Sequence, residues 1–392
     1  MKRTIHVLGC LLAVLVCGQA VAGQSPIKPV SAICVEAESG LVLFQQDADV
    51  PRPPASMVKL MMMLLVAEGV EGGTWTLQQP IAISTYASSM GGTQVFLKAG
   101  EVWPLAKMMD AVAVASANDG AVAVAEGLWG TLAKYLETAN RRALELGMID
   151  TVYRSANGLP PDNGRDFDLT TARDMAVLAR ACVQHDMIMR WVGQREFQFR
   201  ETDALKSNTN KLLWRMPDCD GMKTGYIRAA GFCITATAQR GGVRLISVVM
   251  GNPSKYDRFN QAQQLLEGGF RNVRKLRLVA QGQSLGKPVP VNNCATPEVR
   301  LTASQDLWVT VRNEDLASLQ ITAEHPATLL TPITAGSVVG EVRVKLAGAT
   351  LARCPLTVPT DLEAKAGLLT LENRLARDEQ PPVRTKRMRR GS

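Results

Sequence analysis

Three short motifs in this sequence contain residue types that can transfer an acyl group. In chain order they are Ser56-Met57-Val58-Lys59, Ser116-Ala117-Asn118 and Lys223-Thr224-Gly225. A serine hydroxyl is a weak nucleophile until a base removes its proton. A lysine three residues further along a helix lies on the same face. If apolar neighbours desolvate that lysine, its neutral amine can act as the base. The first motif therefore predicts Ser56 as a nucleophile and Lys59 as its base.

The other two motifs supply groups that a bound acyl substrate needs. Ser116 can relay a proton, and the amide of Asn118 can hold both the lysine and a substrate amide. Lys223, Thr224 and Gly225 lie on a predicted strand, where the charge and the hydroxyl suit a terminal carboxylate. The glycine lets a substrate backbone come close. Together the motifs predict a cleft that binds an extended substrate.

Single motifs of this length also occur by chance. Ser284-Leu285-Gly286-Lys287 repeats the first motif in a predicted β-turn, and Ser155-Ala156-Asn157 repeats the second before Gly158-Leu159-Pro160. We interpret the latter repeat as a loop, which could face the same cleft. The joint occurrence of the three motifs, each in its expected structural context, is what predicts the site.

Other hydrolytic and metal sites lack the residues they need. A Ser-His-Asp triad requires a histidine, and neither His185 nor His325 lies near a convincing serine motif. Residues 282–286 match a nucleophile elbow but lie in a β-rich region without the strand-turn-helix setting. No C-x-x-C pair occurs, and the two histidines that follow the predicted signal segment are far apart in the chain, so we expect no metal site.

Hydrophobic patterns predict the elements that position the motifs. A helix should begin at about Ala55 or Ser56, because Pro53-Pro54 cannot continue one. The apolar run 57–67 favours a helix buried on all sides. The further predictions are helices over 103–114, 120–128, 132–146, 171–182 (with Asp168 and Thr170 as candidate caps) and 261–268, and strands over 32–35, 41–44, 221–225, 232–238 and 243–250. Strands from both ends of this region predict one antiparallel sheet flanked by helices, an α+β fold.

The pattern changes near Val273. Short strands are predicted over residues 289–291, 299–301, 308–311, 342–346 and 351–356, separated by turn residues. They indicate a small all-β sandwich. We therefore predict a catalytic domain over 25–272, a β-sandwich domain over 273–358 and a basic tail over 359–392.

The N-terminus has the pattern of a secretory signal over residues 1–22. Lys2 and Arg3 precede an apolar stretch, and Ala20-Val21-Ala22 fits a cleavage site. The formal charge of the chain is +8, of which this segment contributes +2 and the last twelve residues +5. Because only +1 remains for the rest of the chain, we do not predict a nucleic-acid partner.

Cysteines in an exported protein can form disulfides. Six follow the predicted signal: Cys34, Cys182, Cys219, Cys233, Cys294 and Cys354. The pair Cys294–Cys354 is favoured because both residues fall in the predicted β-sandwich. The alternative for most of the six is burial as small apolar side chains.

From these residues outward, the sequence resembles the D-alanyl-D-alanine carboxypeptidases, the low-molecular-mass penicillin-binding proteins similar to type 5. The resemblance covers residues 29–358 and is carried by residues 54–60, 171–176, 220–225 and 244–251. It implies a penicillin-recognising transpeptidase-like fold with an appended β-sandwich. It further implies removal of the terminal D-alanine from peptidoglycan stem pentapeptides, β-lactams as covalent inhibitors, no cofactor, and a location in the periplasm or at the outer face of the cytoplasmic membrane.

The resemblance also implies the role of each site residue. Ser56 would form the acyl-enzyme with Lys59 as base, while Ser116 and Asn118 would relay protons and hold the amide. In the third motif, Lys223 and Thr224 would face the substrate carboxylate.

Two further residues complete the implied site. Arg258 matches the family arginine that helps to recognise that carboxylate. The backbone N–H groups of Ser56 and Tyr226 would form the oxyanion hole. Tyr226 stands where family members often carry histidine, and Thr209 stands where some carry a second basic residue, so carboxylate binding would depend more on Arg258.

The tail and the activity leave alternatives open. Family members often end in an aromatic-rich amphipathic anchor, whereas residues 361–392 contain no aromatic residue. Weak electrostatic contact of the basic tail with a membrane and a solvated tail are both compatible with this composition. A β-lactamase is an alternative, although no E-x-x-L-N segment follows Ser116. A catalytically weak penicillin- or peptidoglycan-binding module is another, against which the intact Ser56 and Lys59 argue. Endopeptidase activity would use the same residues.

Overall fold

The computed structural model describes residues 2–6 and 31–365. The described residues divide into two compact units, one of residues 31–274 and one of residues 275–365 together with 2–6. Most of the predicted signal and of the predicted basic tail lies outside the described residues. The domain boundaries given above remain predictions.

The strands of the described residues are, in chain order, β1 Lys2–His6, β2 Ser31–Glu36, β3 Val42–Gln46, β4 Pro80–Ala82, β5 Val102–Pro104, β6 Glu196–Phe197, β7 Lys206–Ser207, β8 Cys219–Ile227, β9 Gly231–Arg240, β10 Val243–Asn252, β11 Val273–Val279, β12 Val289–Asn292, β13 Glu298–Val299, β14 Thr302–Ala303, β15 Leu307–Arg312, β16 Gln320–Pro326, β17 Leu329–Leu330, β18 Val338–Leu346 and β19 Ala349–Thr357. The α-helices are α1 Lys59–Glu71, α2 Thr85–Ser88, α3 Leu105–Asp110, α4 Asn118–Trp129, α5 Leu132–Glu145, α6 Ala172–Cys182, α7 Asp186–Gly193, α8 Leu212–Arg215 and α9 Asp257–Asn272. Two 3₁₀ turns, Ala55–Val58 and Asn313–Ser318, and one π-helical turn, Ala111–Ala115, complete the set.

A five-stranded antiparallel sheet organises the first unit. Its order is β3-β2-β10-β9-β8, which joins strands from both ends of the unit as predicted. Strand β8 contains the third motif and lies at the edge of the sheet. Within it Lys223 is opposite Thr235 and Gly225 is opposite Cys233 on β9. Among the described strands none pairs with the outer side of β8, so this side can pair with an extended ligand.

Helix α1 lies in the core of this unit. All of its residues from Lys59 to Ala67 are buried, which confirms the prediction of a helix surrounded by protein. The helix follows the 3₁₀ turn Ala55–Val58, and that turn follows Pro54. A surface helix would show an apolar stripe, and α5 does so by burying only Tyr135, Ala139 and Ala143.

Strands build the second unit. One antiparallel sheet has the order β1-β16-β18-β19-β14, and smaller sheets join β11 with β15 and β13-β12-β17. The core beneath them consists of alternating side chains such as Val342 and Val344 on β18 and Cys354 and Leu356 on β19. The α+β fold with an appended β domain is thus confirmed, although β16 and the short helix α7 were not predicted.

The start of one helix and the cap of another were predicted wrongly. The helix predicted over 103–114 begins only after Pro104, because Trp103 on β5 pairs with Ile81 on β4, and it consists of α3 followed by the π-helical turn Ala111–Ala115. The cap of α6 is Thr171, whose hydroxyl accepts a hydrogen bond from the Asp174 amide at 3.0 Å. Asp168 and Thr170, the predicted caps, are buried and bind other groups.

The six cysteines are free and buried, so the favoured Cys294–Cys354 disulfide is not formed. The Cys354 thiol on β19 instead lies 3.3 Å from the Gln305 carbonyl. Burial raises the pKa of the Cys34 thiol to about 12 and that of Cys233 to about 11, which keeps these sulfurs protonated and unreactive. Among the described helices, none is both long and apolar enough to cross a membrane.

Candidate active site

Ser56 lies in a strained turn at the start of the buried helix. The preceding Ala55 has a φ of 50°, in the left-handed region that side chains other than glycine seldom adopt. Ser116 has a φ of 59°, so the first serine of the second motif is in the same kind of conformation. Strain of this kind is found mainly where a function requires it.

The Lys59 amine contacts three oxygen atoms. Its Nζ lies 2.9 Å from the Ser56 Oγ, 2.9 Å from the Asn118 Oδ1 and 2.6 Å from the backbone carbonyl of Asn157. A neutral amine has two N–H bonds and one lone pair. Because the Asn118 and Asn157 oxygens can only accept, they bind both hydrogens, and the lone pair is then directed at the Ser56 hydroxyl. This is the geometry that a general base requires.

The electrostatic environment also favours the neutral amine of Lys59. The residue is fully buried. Burial holds its pKa well below the ordinary value, and the nearby Lys223 charge lowers that pKa further. The carboxylates of Asp168 and Asp119 act in the opposite direction. Desolvation therefore outweighs the two carboxylates.

Lys223 contacts the other serine. Its Nζ donates to the Ser116 Oγ at 2.8 Å and to the Thr224 carbonyl at 3.1 Å. Burial, assisted by the Arg258 charge, lowers the pKa of Lys223 to about 7. The structure therefore pairs Ser116 with Lys223.

A loop between α2 and β5 holds Asn118. The Asn118 side chain donates to the Gly91 carbonyl at 2.8 Å, and its backbone amide donates to the Thr93 carbonyl at 2.8 Å. The next residue, Asp119, accepts hydrogen bonds from the amides of Val95 and Leu97. Both ends of the Asn118 side-chain amide are thus fixed, the nitrogen by this loop and the oxygen by Lys59.

Two hydroxyl groups meet beside the edge strand. The Thr224 Oγ1 donates to the Thr209 Oγ1 at 2.8 Å. Thr209 lies between two buried asparagines that fix its backbone. Asn210 donates to the Gly221 carbonyl at 2.8 Å, and Asn208 donates to a carbonyl of the residue after α7 at 2.9 Å. A hydroxyl pair therefore occupies the position where a second basic side chain was discussed above.

Arg258 lies behind β8 and not on its open side. The residue is 5% exposed and donates from Nη1 to the carbonyls of Gly225 and Cys233 at 3.1 and 3.2 Å. Its guanidinium carbon also lies 4.7 Å from the ring centre of Phe259 and 5.4 Å from that of Phe232. Burial lowers the pKa of Arg258 to about 10. Its Nε–H has no partner among the described residues.

Two glycines let the chain approach the nucleophile from both sides. A Cβ atom at Gly158, where φ is +78°, would overlap the Ala55 carbonyl. One at Gly225 would overlap the carbonyl of Pro54 and lie 3.3 Å from the Ser56 nitrogen. Only glycine allows such contact between backbones. The Ser56 amide is consequently held next to the strand that carries Tyr226.

Tyr226 forms an exposed aromatic surface at the end of the third motif. Its side chain is 54% exposed and stacks on Phe232 with ring centres 4.2 Å apart. Such stacked rings stabilise each other beyond the area they bury.

The sequence analysis missed the role of the Asn157 carbonyl in the site. The repeat Ser155-Ala156-Asn157 does form a loop that faces the cleft, but a backbone oxygen contributes to the site and not a side chain. The other repeat, Ser284–Lys287, belongs to the second unit. Among the residues that the structure describes, no group of three or more His, Cys, Asp or Glu side chains could hold a metal ion.

The structure places a buried amine against a serine hydroxyl, next to an edge strand that carries a second lysine and hydroxyl groups. This is the arrangement of a serine acyl-transfer enzyme. The comparisons with known proteins specify the class. The D-alanyl-D-alanine carboxypeptidase family matches residues 19–254, and the C-terminal domain of penicillin-binding protein 5 matches residues 274–364. The chain therefore belongs to the D-alanyl-D-alanine carboxypeptidases, a family of serine hydrolases.

Relatives match over most of the chain. The D-alanyl-D-alanine carboxypeptidase DacF of Bacillus subtilis is 32% identical over 352 residues, 89% of each chain. The structure of penicillin-binding protein 5 from Haemophilus influenzae is similar with a TM-score of 0.70 at 27% identity, and the match covers 87% of this chain and 100% of that one. Penicillin-binding protein D2 of Listeria monocytogenes, solved in an ampicillin-bound form, matches with a TM-score of 0.54 at 29% identity over 63% of this chain and 100% of that one.

Proposed function

We propose that Ser56 attacks the carbonyl of the penultimate D-alanine in a peptidoglycan stem pentapeptide and releases the terminal D-alanine. The observation that supports this most directly is the position of the Lys59 amine, 2.9 Å from the Ser56 Oγ with two carbonyl oxygens on its other side. The proton of the Ser56 hydroxyl passes to the lone pair of Lys59 as the Oγ–carbon bond forms.

Negative charge then develops on the substrate carbonyl oxygen. We assign the oxyanion hole to the backbone N–H groups of Ser56 and Tyr226. Support comes from the close approach of Gly225, next to Tyr226, to the Ser56 nitrogen. A pentapeptide that pairs with the open edge of β8 would place its carbonyl between these two amides.

The terminal carboxylate faces Lys223 and Thr224 in this proposal. A bound carboxylate favours the charged form of Lys223 and so raises its pKa from about 7. Arg258, held behind Gly225, adds positive potential at the same end of the strand. The Ser116 oxygen accepts from Lys223, so the Ser116 hydrogen can move to the leaving nitrogen of D-alanine while Lys223 returns a proton to the Ser116 oxygen.

Water completes the cycle by hydrolysing the Ser56 ester, which needs no cofactor. β-Lactams would acylate the same oxygen, since they present a strained amide to it. The ampicillin-bound form of the Listeria monocytogenes relative supports this extension. Efficient hydrolysis of the β-lactam adduct is not part of the proposal.

We further propose that the chain is exported and acts in the periplasm or at the outer face of the cytoplasmic membrane. The charged and apolar pattern of residues 1–22 supports export. The five basic residues among the last twelve would add roughly 1 kcal/mol each near an anionic surface. Binding to anionic vesicles that disappears when residues 381–392 are removed would support this contact, and equal binding of both forms would contradict it.

D-Alanine release tests the proposed reaction. The protein comprising residues 23–392 is incubated with a peptide that ends in Lys-D-Ala-D-Ala, and the Ser56→Ala variant is the control. We expect release by the wild type, none by the variant, and a penicillin adduct on Ser56 in the mass spectrum of the wild type. No release from folded wild-type protein that still binds penicillin would favour a penicillin-binding module, and an adduct persisting in the variant would move the nucleophile elsewhere.

A further inference from the structure

The loop that presents the Asn157 carbonyl to Lys59 is itself held by a buried carboxylate. The Asp168 Oδ1 accepts from the amides of Arg154 and Ser155 at 2.6 and 2.9 Å, and its Oδ2 accepts from the Ser155 hydroxyl at 2.6 Å. The Ser155 oxygen in turn accepts from the Gly158 amide at 2.8 Å. Four hydrogen bonds thus close the loop on both sides of Asn157.

These bonds are not those of a helix cap. Asp168 stands four residues before α6, and Thr171 caps that helix. The hydrogen bonds of Asp168 are instead made to Arg154 and Ser155, at the start of the loop of residues 154–158. Burying a carboxylate costs free energy unless it accepts hydrogen bonds. Here the hydrogen-bond donors belong to the loop whose Asn157 carbonyl contacts Lys59.

We propose that Asp168 and Ser155 are positioning residues for the acylation step, which hold the Asn157 carbonyl against Lys59 and so direct the lone pair of the base at Ser56. The proposal rests on the function assigned above. Displacing that carbonyl would leave one N–H of Lys59 free to bind Ser56 in place of the lone pair. The nucleophile would then lose its proton acceptor without any change in the residues that touch the substrate.

Asp168 also contributes charge. The groups that act on the Lys59 amine are Lys223 from β8, Asp119 from α4 and Asp168 from the loop before α6. The Asp168 charge also raises the pKa values of the Tyr135 and Tyr153 phenols. Loss of the Asp168 charge would favour the neutral amine at lower pH, whereas loss of the Ser155 hydroxyl would leave the charge in place.

This difference makes the two variants distinguishable. Acylation of Ser56 by a fluorescent penicillin is measured from pH 5 to pH 10 for the full chain and for Asp168→Asn, Ser155→Ala and Ser155→Thr. The matched control is Asp162→Asn, which removes an exposed carboxylate of the same loop. Far-ultraviolet circular dichroism and thermal unfolding verify that each variant is folded.

For Ser155→Ala we expect acylation about 10- to 100-fold slower with the acid limb of the pH profile unmoved. Ser155→Thr keeps the hydroxyl and should recover most of the rate. For Asp168→Asn we expect a similar loss together with an acid limb displaced to lower pH by roughly half a unit or more. Asp162→Asn should match the wild type in both respects.

Wild-type rates in Ser155→Ala, or an unmoved limb in folded Asp168→Asn, would overturn the proposal. If Asp168→Asn fails to fold, the two serine variants decide alone. Failure of the proposed function gives a different result, because penicillin adducts would then persist in Ser56→Ala. The KM of a D-Ala-D-Ala peptide should change less than kcat, since none of these residues faces the carboxylate site.

Discussion

Replacing Lys223 by methionine should stabilise the fold near pH 6 while abolishing turnover. The pKa of Lys223 falls from its ordinary 10.5 to about 7 because the residue is buried. At about 1.4 kcal/mol per pH unit, this corresponds to ~5 kcal/mol of lost stability when the amine is charged in the folded state. The variant also loses hydrogen bonds to Ser116 and Thr224, worth about 1 kcal/mol each. The expected net gain in the free energy of unfolding is about 3 kcal/mol at pH 6.

The pH dependence gives the sharper test. The unfolded chain keeps the Lys223 proton up to about pH 10, whereas the folded protein keeps it only up to about pH 7. The unfolded state therefore binds more protons between these values, and wild-type stability should rise with pH across this window. The variant lacks this rise. At pH 10 it should be less stable than the wild type by about 1 kcal/mol, because the two lost hydrogen bonds then outweigh the small part of the burial penalty that remains.

Urea unfolding at pH 6, 8 and 10 measures both effects. Tryptophan fluorescence suits the purpose because five of the six tryptophans lie in residues 20–274. Lys134→Met, which removes an exposed lysine of α5, is the matched control and should leave the pH slope unchanged. A Lys223→Met variant with wild-type stability at pH 6 and a wild-type slope would refute the reasoning that burial penalises the charged amine.

Three further predictions concern acylation and binding. Gly158→Ala should slow penicillin acylation at least 100-fold, because the added carbon overlaps the backbone beside Ser56. The control Gly164→Ala, also at positive φ but with open space around it, should cost only about 1–2 kcal/mol of stability. Equal acylation rates in the two variants would contradict the steric argument. Thr209→Val should reduce the preference for a peptide with a free carboxylate over its C-terminal amide several-fold, because the partner of Thr224 is lost. The preference is measured as the ratio of the two kcat/KM values. An unchanged ratio would mean that the hydroxyl pair does not contribute to carboxylate binding. The acylation rate should fall as pH falls through the lowered pKa of Lys59, since only the neutral amine accepts the proton, and a rate that rises on acidification would count against Lys59 as the base.

Much of the fold could be predicted because its signals are local. Prolines before Ala55 and an apolar run after it specify where α1 begins and that it is buried. Alternating apolar residues with a Gly241-Gly242 turn specify the hairpin of β9 and β10. These patterns depend on neighbours in sequence, so they can be recognised without knowledge of the tertiary structure.

The parts that sequence reasoning missed depend on contacts between distant segments. A backbone carbonyl carries no side-chain signature, so the Asn157 oxygen could not be distinguished from any other loop carbonyl. Asp168 has the residue type of a helix cap, and only the fold shows that its oxygens turn to the 154–158 loop. The orientation of Arg258 behind its strand, and of Ser116 toward Lys223, likewise requires the packed structure.

The six buried thiols affect how the protein would fail under heat. Folding of the part of the chain that the structure describes needs no disulfide catalyst, since its six cysteines are all free. While the protein is folded, burial holds the pKa of thiols such as Cys34 so high that oxidants find almost no thiolate. Unfolding would expose these six thiols at once, and under the oxidising conditions that the proposed location implies they could couple in non-native pairs. Resistance to inactivation would therefore be governed by the rate of unfolding and not by the equilibrium between the two states.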